Sequence, residues 1–174
     1  RFYWGREIKT HLAKNGISVA EYPVFIGESF ESLSQVFKPY KSIFEANSRA
    51  GVAKDEILGL SFFSINDGTQ QLMAYGWYAD TNFSGTLVDE RLSGVRVRQG
   101  NILIGDKDTL KPYYKEARFN GWAVGEVYVV SPNLIPNARR DDFEKNNAFA
   151  EFTIGLRDTI GTEITEKIRT ASKV

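Results

Sequence analysis

Phe149, Phe152, Leu156, Ile160, Ile164 and Ile168 recur at spacings of three or four. This is one apolar stripe of an amphipathic helix that runs nearly to the end of the chain. Glu163 and Lys167 add an i,i+4 pair in the favourable order. Ahead of that helix the chain reads mainly as strands, and strands followed by helices give an α+β class with a sheet as the helix's partner.

Ile57 to Ile65 and Gln70 to Tyr78 are strand-like runs separated by Asn66-Asp67-Gly68-Thr69, a good hairpin turn. Leu58, Leu60 and Phe62 alternate with Ile57, Phe63 and Ile65, so both faces are expected to be covered and the strand to be central. Val95 to Arg98 and Asn101 to Ile104 form a second hairpin around Gln99-Gly100. A two-residue turn there sets Val97 opposite Ile102 and Val95 opposite Ile104, with Arg96 and Arg98 on a solvent or partner face. Gly121 to Val130 is a further strand, ended by Ser131-Pro132-Asn133.

The first part of the chain is read as residues 1–50, a connector, and the rest as one domain, residues 51–174. Arg6 to Lys14 is a short helix stopped by Asn15-Gly16. Ile17 to Ile26 is an extended or edge segment interrupted by Pro23. Leu33, Val36, Phe37 and Tyr40 make a helical turn or an irregular stretch before and around Pro39.

Composition narrows the chemistry. Twenty-two Lys and Arg balance 22 Asp and Glu in 174 residues, so no global field draws the chain to nucleic acid or an anionic membrane. The absence of Cys excludes disulfides, thiolate metal sites and cysteine nucleophiles. His11 is the single histidine, which makes a zinc site or a catalytic triad improbable. The apolar run Ala123 to Val130 is broken well before the about 20 residues of a membrane span, and no signal peptide is visible; a cytoplasmic location is expected. Trp4, Trp77 and Trp122 read as core and interdomain packing. Asp106-Lys107-Asp108 reads as a turn, because a calcium loop needs more oxygen ligands at set spacings.

Leu134-Ile135-Pro136-Asn137-Ala138-Arg139-Arg140-Asp141-Asp142-Phe143-Glu144 carries the most chemistry. Pro136 to Asn146 is expected to form a short helix with Asn137 as its N-cap, which puts Arg139 and Arg140 in a first turn where the dipole disfavours cations. Two readings stand. Free amides and a guanidinium together make a phosphate clamp, or Asp141 and Asp142 neutralise the arginines on a solvated helix start.

The order of strand, Leu-x-x-Asn-x-x-Arg-acidic and helix resembles the middle, or transducer, domain of the ninety-kilodalton heat-shock chaperones and their relatives among the GHKL ATPases. There the stretch reads Leu-Pro-Leu-Asn-x-Ser-Arg-Glu. Gln71 to Ala79, Val95 to Ile104 and Phe119 to Val130 are similar to segments of that domain in the same order, over about half the chain. Arg118-Phe119-Asn120, Gly125-Glu126 and Pro136 to Asp141 resemble divergent bacterial chaperone-like ATPases more closely still. Three departures are the proline one place later, Arg139 in place of Ser, and Glu144 in place of the Gln four after the arginine.

The resemblance implies a ribosomal-protein-S-five-like fold, a mixed sheet with helices on one side and a long C-terminal helix. It places Asn137 and Arg140 on residues that reach the γ-phosphate of ATP, with Arg139 as an alternative phosphate contact. It implies a chain inactive alone that is part of an ATP-hydrolysing protein, with ATP and Mg held mainly by a separate N-terminal nucleotide-binding domain. The chain agrees in lacking a Gly-x-x-x-x-Gly-Lys loop and the GHKL pocket motifs. A protein client and a homodimer of the full-length protein are the other partners it suggests.

The alternative is a protein- or nucleic-acid-binding module without a catalytic role. Arg91, Arg96 and Arg98 are its basic stretch. Zero net charge and no interleaved aromatics favour a solvated strand face there instead.

Overall fold

The computed structural model describes residues 4–16, 43–100 and 102–173. The chain divides into two units, Arg1–Ser42 and Ile43–Val174. In the first unit, α1 (Trp4–Lys14) ends where the glycine signal puts it, and Gly16 N–H donates to the Ala13 carbonyl at 3.1 Å. The segments expected over Ile17 to Ile26 and Leu33 to Tyr40 lie outside the described residues.

The second unit starts before residue 51 because β1 (Ile43–Ser48) pairs with the first part of β2 (Gly51–Asn66), from Ile43 opposite Glu56 to Ser48 opposite Gly51. The remaining strands are β3 (Leu72–Thr81), β4 (Thr86–Leu87), β5 (Gly94–Gln99), β6 (Ile102–Ile104) and β7 (Val124–Val129). Their order in the sheet is β4-β1-β2-β3-β7-β5-β6. Every pairing is antiparallel except β5 with β7. This is a mixed sheet in an α+β unit with a long C-terminal helix.

The turn between β2 and β3 is organised by Asp67, whose carboxylate accepts hydrogen bonds from Thr69 N–H, Thr69 O–H and Gln71 N–H. β2 lies between β1 and β3 as expected, but Leu58 is 60% exposed. The register passes from Ile57 opposite Thr81 to Gly59 opposite Asp80, so a bulge leaves Leu58 out of the ladder.

The second hairpin is shifted from expectation. Gln99 pairs with Ile102, Arg98 with Leu103 and Val97 with Ile104, which moves the turn onto Gly100 with φ +59°. A shift of two positions keeps every side chain on its expected face. Val95, Val97 and Ile104 therefore still enter the core.

The C-terminal helix runs as α2 (Asn147–Leu156), a π-helical segment (Arg157–Ile164) and α3 (Thr165–Ala171). Phe152, Leu156, Ile160, Ile164 and Ile168 are each at most 1% exposed and pack with Ile65, Ala74, Tyr78, Val95, Val127 and Val129 of the sheet. Four residues of α-helix turn about 40° past a full circle, so a strict four-residue repeat would spiral off the buried face. Wider i→i+5 turns rotate it back. Each such side chain contributes roughly 1.5–3 kcal/mol by burial.

The Glu163–Lys167 pair expected along the helix does not form. Glu163 accepts the Tyr78 hydroxyl at 2.6 Å, and Lys167 Nζ donates to Asp80 at 2.8 Å and Ser61 Oγ at 2.9 Å. Both side chains turn to the sheet, where each finds a partner that ties the helix down. Among the described residues no helix is long and apolar enough to cross a membrane.

Candidate functional site

The stretch from Ser131 to Asn146 leaves β7 and enters α2, and it folds as a closed loop where a short helix was expected. Pro136 bridges Phe143, Asn137 N–H donates to the Asp142 carbonyl at 2.9 Å, and Glu144 N–H donates to the Ile135 carbonyl at 2.7 Å. The helix starts nine residues later than Asn137 suggests. Its N-cap is Asn146, whose Oδ1 accepts from Phe149 N–H at 2.9 Å. Phe143 decides the difference: it is 4% exposed and meets Phe152 at 6.0 Å and Phe149 at 6.4 Å between ring centroids. Drawing that ring under the helix extends the backbone across from Pro136, and the hairpin-like bonds satisfy it there. Arg139 and Arg140 are thus free of the unfavourable helix dipole, and helix amides contribute nothing at that point.

Arg140 occupies the tip with φ +57°, a left-handed conformation that costs a non-glycine residue about 1–2 kcal/mol. Two backbone bonds hold it. Its N–H donates to the Asn137 carbonyl at 3.0 Å, and its carbonyl accepts from Gly105 N–H at 2.8 Å. Gly105 has φ +74°, and a Cβ there would collide with Thr109 Oγ1 and crowd the Asp141 carbonyl, so only glycine lets the two segments meet.

Asn137, Arg139 and Arg140 come together at the rim of one cleft of about 840 Å³. Phe143, Phe149, Phe152, Leu156 and Leu110 line its apolar part, and Asp106, Asp108, Asp141 and Asp142 share the polar rim. Arg140 and Asn137 also border a recess of about 390 Å³ beside Ile102 and Pro136. Both arginines are exposed, and among the described residues neither guanidinium has a hydrogen-bond or ion-pair partner. The neighbouring carboxylates are engaged elsewhere. Asp141 Oδ1 accepts from Asn137 Nδ2 at 2.6 Å, and Asp142 Oδ2 pairs with Lys145 Nζ at 2.7 Å. Two unpaired cations on a braced loop can receive an anion.

The basic stretch is only in part the solvated face expected for it, since Arg91 is exposed while Arg96 and Arg98 are partly buried. Arg98 is half-buried with Nε 2.6 Å from Glu126, Arg96 donates to the Glu90 carbonyl at 2.7 Å, and Arg91 is forked onto Asp89. Asp106 to Asp108 do form a turn, with Asp108 N–H bonded to the Asp106 carboxylate at 2.7 Å. Among the described residues no three His, Asp or Glu side chains group as a metal site.

A second polar cluster, which sequence reasoning missed, joins Ser61, Asp80, Tyr78, Glu163 and Lys167. Lys167 beside Ser61 has the outline of a serine–lysine dyad. Burial alone would lower the Lys167 pKa, but hydrogen bonds to Asp80 and Tyr78 outweigh it and hold the ammonium above its ordinary range. Its Nζ donates to Ser61 Oγ at 2.9 Å, the opposite of the direction a base for that serine needs. Burial, reinforced by the Glu163 carboxylate, likewise pushes the Tyr78 hydroxyl up. The cluster fastens helix to sheet. Its only sequence signal was the Glu163 and Lys167 spacing, and the packing that turns both toward Tyr78, Asp80 and Ser61 is tertiary.

Comparison with family models, with curated proteins and with solved structures returns no match.

Proposed function

We propose that this chain is the middle, or transducer, domain of a chaperone-like GHKL ATPase, in which Arg140 meets the γ-phosphate of ATP held with Mg by a separate nucleotide-binding domain. The observation that carries the reading is the unpaired Arg140 guanidinium on a loop braced from both sides. Arg139 is the neighbouring phosphate contact. The ribosomal-protein-S-five-like topology, a cytoplasmic location, a protein client and a homodimer of the full-length protein belong to the same proposal.

The chain's part in the chemistry is electrostatic. ATP supplies the phosphoryl group and the developing negative charge. Arg140, exposed, unpaired with its own carboxylates and carried on a loop tip whose backbone is bonded on both sides, adds positive charge when the domains close. The preset backbone reduces the reorganisation left to the reaction, and the anion itself orders the side chain. Because contact requires closure, the same arginine reports nucleotide state to the sheet and to α2, and closure would limit turnover. The nucleic-acid form of the binding-module alternative rests on Arg91, Arg96 and Arg98, each engaged within the chain.

The test has two arms. This chain alone shows no heat of ATP binding by calorimetry. In the protein that joins it to the nucleotide-binding domain, Arg140→Ala lowers kcat about a hundredfold or more while nucleotide affinity stays within about threefold. Undiminished turnover in that variant removes the proposal.

A further inference from the structure

The geometry points to Asn137 and Asp141 as positioning residues that aim Arg140, with the Asn137 amide spent on that clasp and not on the anion. The inference rests on the reading of Arg140 given above and changes the role the motif resemblance assigns to Asn137.

Asn137 has one acceptor oxygen and two N–H donors. Its Oδ1 accepts from Asp141 N–H at 3.2 Å, and its Nδ2 donates to Asp141 Oδ1 at 2.6 Å, a charge-assisted bond. Its backbone is committed as well, N–H to the Asp142 carbonyl and carbonyl to Arg140 N–H. Each polar atom of Asn137 thus makes a bond that closes the loop whose tip holds Arg140 in the left-handed region, with one Nδ2–H left over. Rotating the amide to give its main donor to a phosphate would break the 2.6 Å bond and bring a freed carboxylate beside the approaching anion.

The clasp does a second thing. Asp141 is the residue next to Arg140, and a loose carboxylate there would pair with one of the two guanidiniums and cancel the charge the site needs. Held by Asn137, it leaves both unpaired. The same pair thus fixes the arginine's backbone and removes its nearest competitor.

An exchange of side chains tests this. Asn137→Ala removes both side-chain bonds, and Asn137→Asp sets two carboxylates against each other. The double exchange N137D/D141N restores an amide–carboxylate pair with the Asp141-position N–H still bonded to residue 137. In this chain, hydrogen exchange at the amide of residue 141 should accelerate in N137A and return to the parent rate in the double exchange. In the protein with its nucleotide-binding domain, N137A and N137D should lower kcat about tenfold to a hundredfold, and the double exchange should recover it to within about threefold. If the Asn137 amide touched the phosphate, a carboxylate at that position would stay damaging, so a double exchange that regains amide protection without regaining turnover overturns the inference. Arg140→Ala measured alongside separates the two failures. Unchanged turnover there sinks the reading of Arg140 and the positioning role built on it, whereas a loss there with no rescue by the double exchange sinks the clasp alone.

Discussion

Arg98 Nε lies 2.6 Å from the Glu126 carboxylate on the sheet face opposite the C-terminal helix, and the Tyr128 hydroxyl donates to the same oxygen at 2.9 Å. Glu126 is 7% exposed and the Arg98 side chain 22%. Removing the cation leaves a carboxylate in a largely dry setting, which is far costlier than losing a surface pair. Arg98→Ala is therefore expected to lower unfolding free energy by about 2–3 kcal/mol, after allowance for the partial exposure of the arginine. Urea unfolding at neutral pH checks it; a change below about 0.5 kcal/mol would place the pair among ordinary surface contacts.

Tyr114 gives the alkaline behaviour. Its ring is 5% exposed, its hydroxyl finds no hydrogen-bond partner among the described residues, and burial pushes its pKa far above the usual tyrosine value of 10.0. Burial raises Tyr78 and Tyr75 in the same direction. In the pH range above 10 the unfolded chain loses these protons and the folded chain keeps them. The stability they contribute is complete below pH 10 and drains away as pH rises through the raised folded values. Tyr114→Phe should flatten that decline. At neutral pH it should also stabilise the chain by about 1 kcal/mol, because it removes a buried hydroxyl that pays desolvation without a bond. A loss of stability at pH 7 would reveal a partner for that hydroxyl.

How far the chain could be read without coordinates differs from element to element. The Asn66 to Thr69 turn and the apolar stripe from Phe149 to Ile168 were legible because local chemistry and periodicity decide them. The stripe's strict four-residue spacing from Phe152 onward mismatches the α-helical turn, but it reads as an ordinary amphipathic helix and the π segment within it was not expected. The arginine loop was not legible. Asn137 and Asn146 are both good N-caps, and the choice between them was made by Phe143 packing under the helix. Arg140's left-handed backbone depends on the Gly105 N–H, which no neighbouring residue announces. The unpaired state of the two arginines follows from where Asp141 and Asp142 find other partners, and that too is tertiary.

Gly161 marks where the π segment meets the chain beneath it. A Cβ at this position would run into the Tyr113 carbonyl, a backbone atom that cannot swing aside. On helix propensity alone, Gly161→Ala would gain close to 1 kcal/mol. The collision should outweigh that gain, and the expected net result is a loss of about 1–3 kcal/mol. For a chain of this length that corresponds to a fall in Tm of roughly 2–12 °C. A raised Tm would show that the wide turns close up around the new methyl group.

Gly105→Ala tests the bracing of the site from the other side. The new Cβ would collide with Thr109 Oγ1 and crowd the Asp141 carbonyl, and φ +74° strains any residue with a side chain. Neither the cleft's apolar lining nor the guanidinium is altered by the change. What is lost is the Gly105 N–H bond that holds the Arg140 carbonyl. The variant should lose about 1–3 kcal/mol of stability and show faster hydrogen exchange at the Arg140 and Asp141 amides. In the ATP-hydrolysing protein proposed above, kcat should fall by about tenfold or more with nucleotide affinity unchanged, since a loosened guanidinium still carries its charge but no longer waits in place. If exchange quickens and turnover does not fall, Arg140 acts without being held, and the preorganisation argued for this loop is wrong.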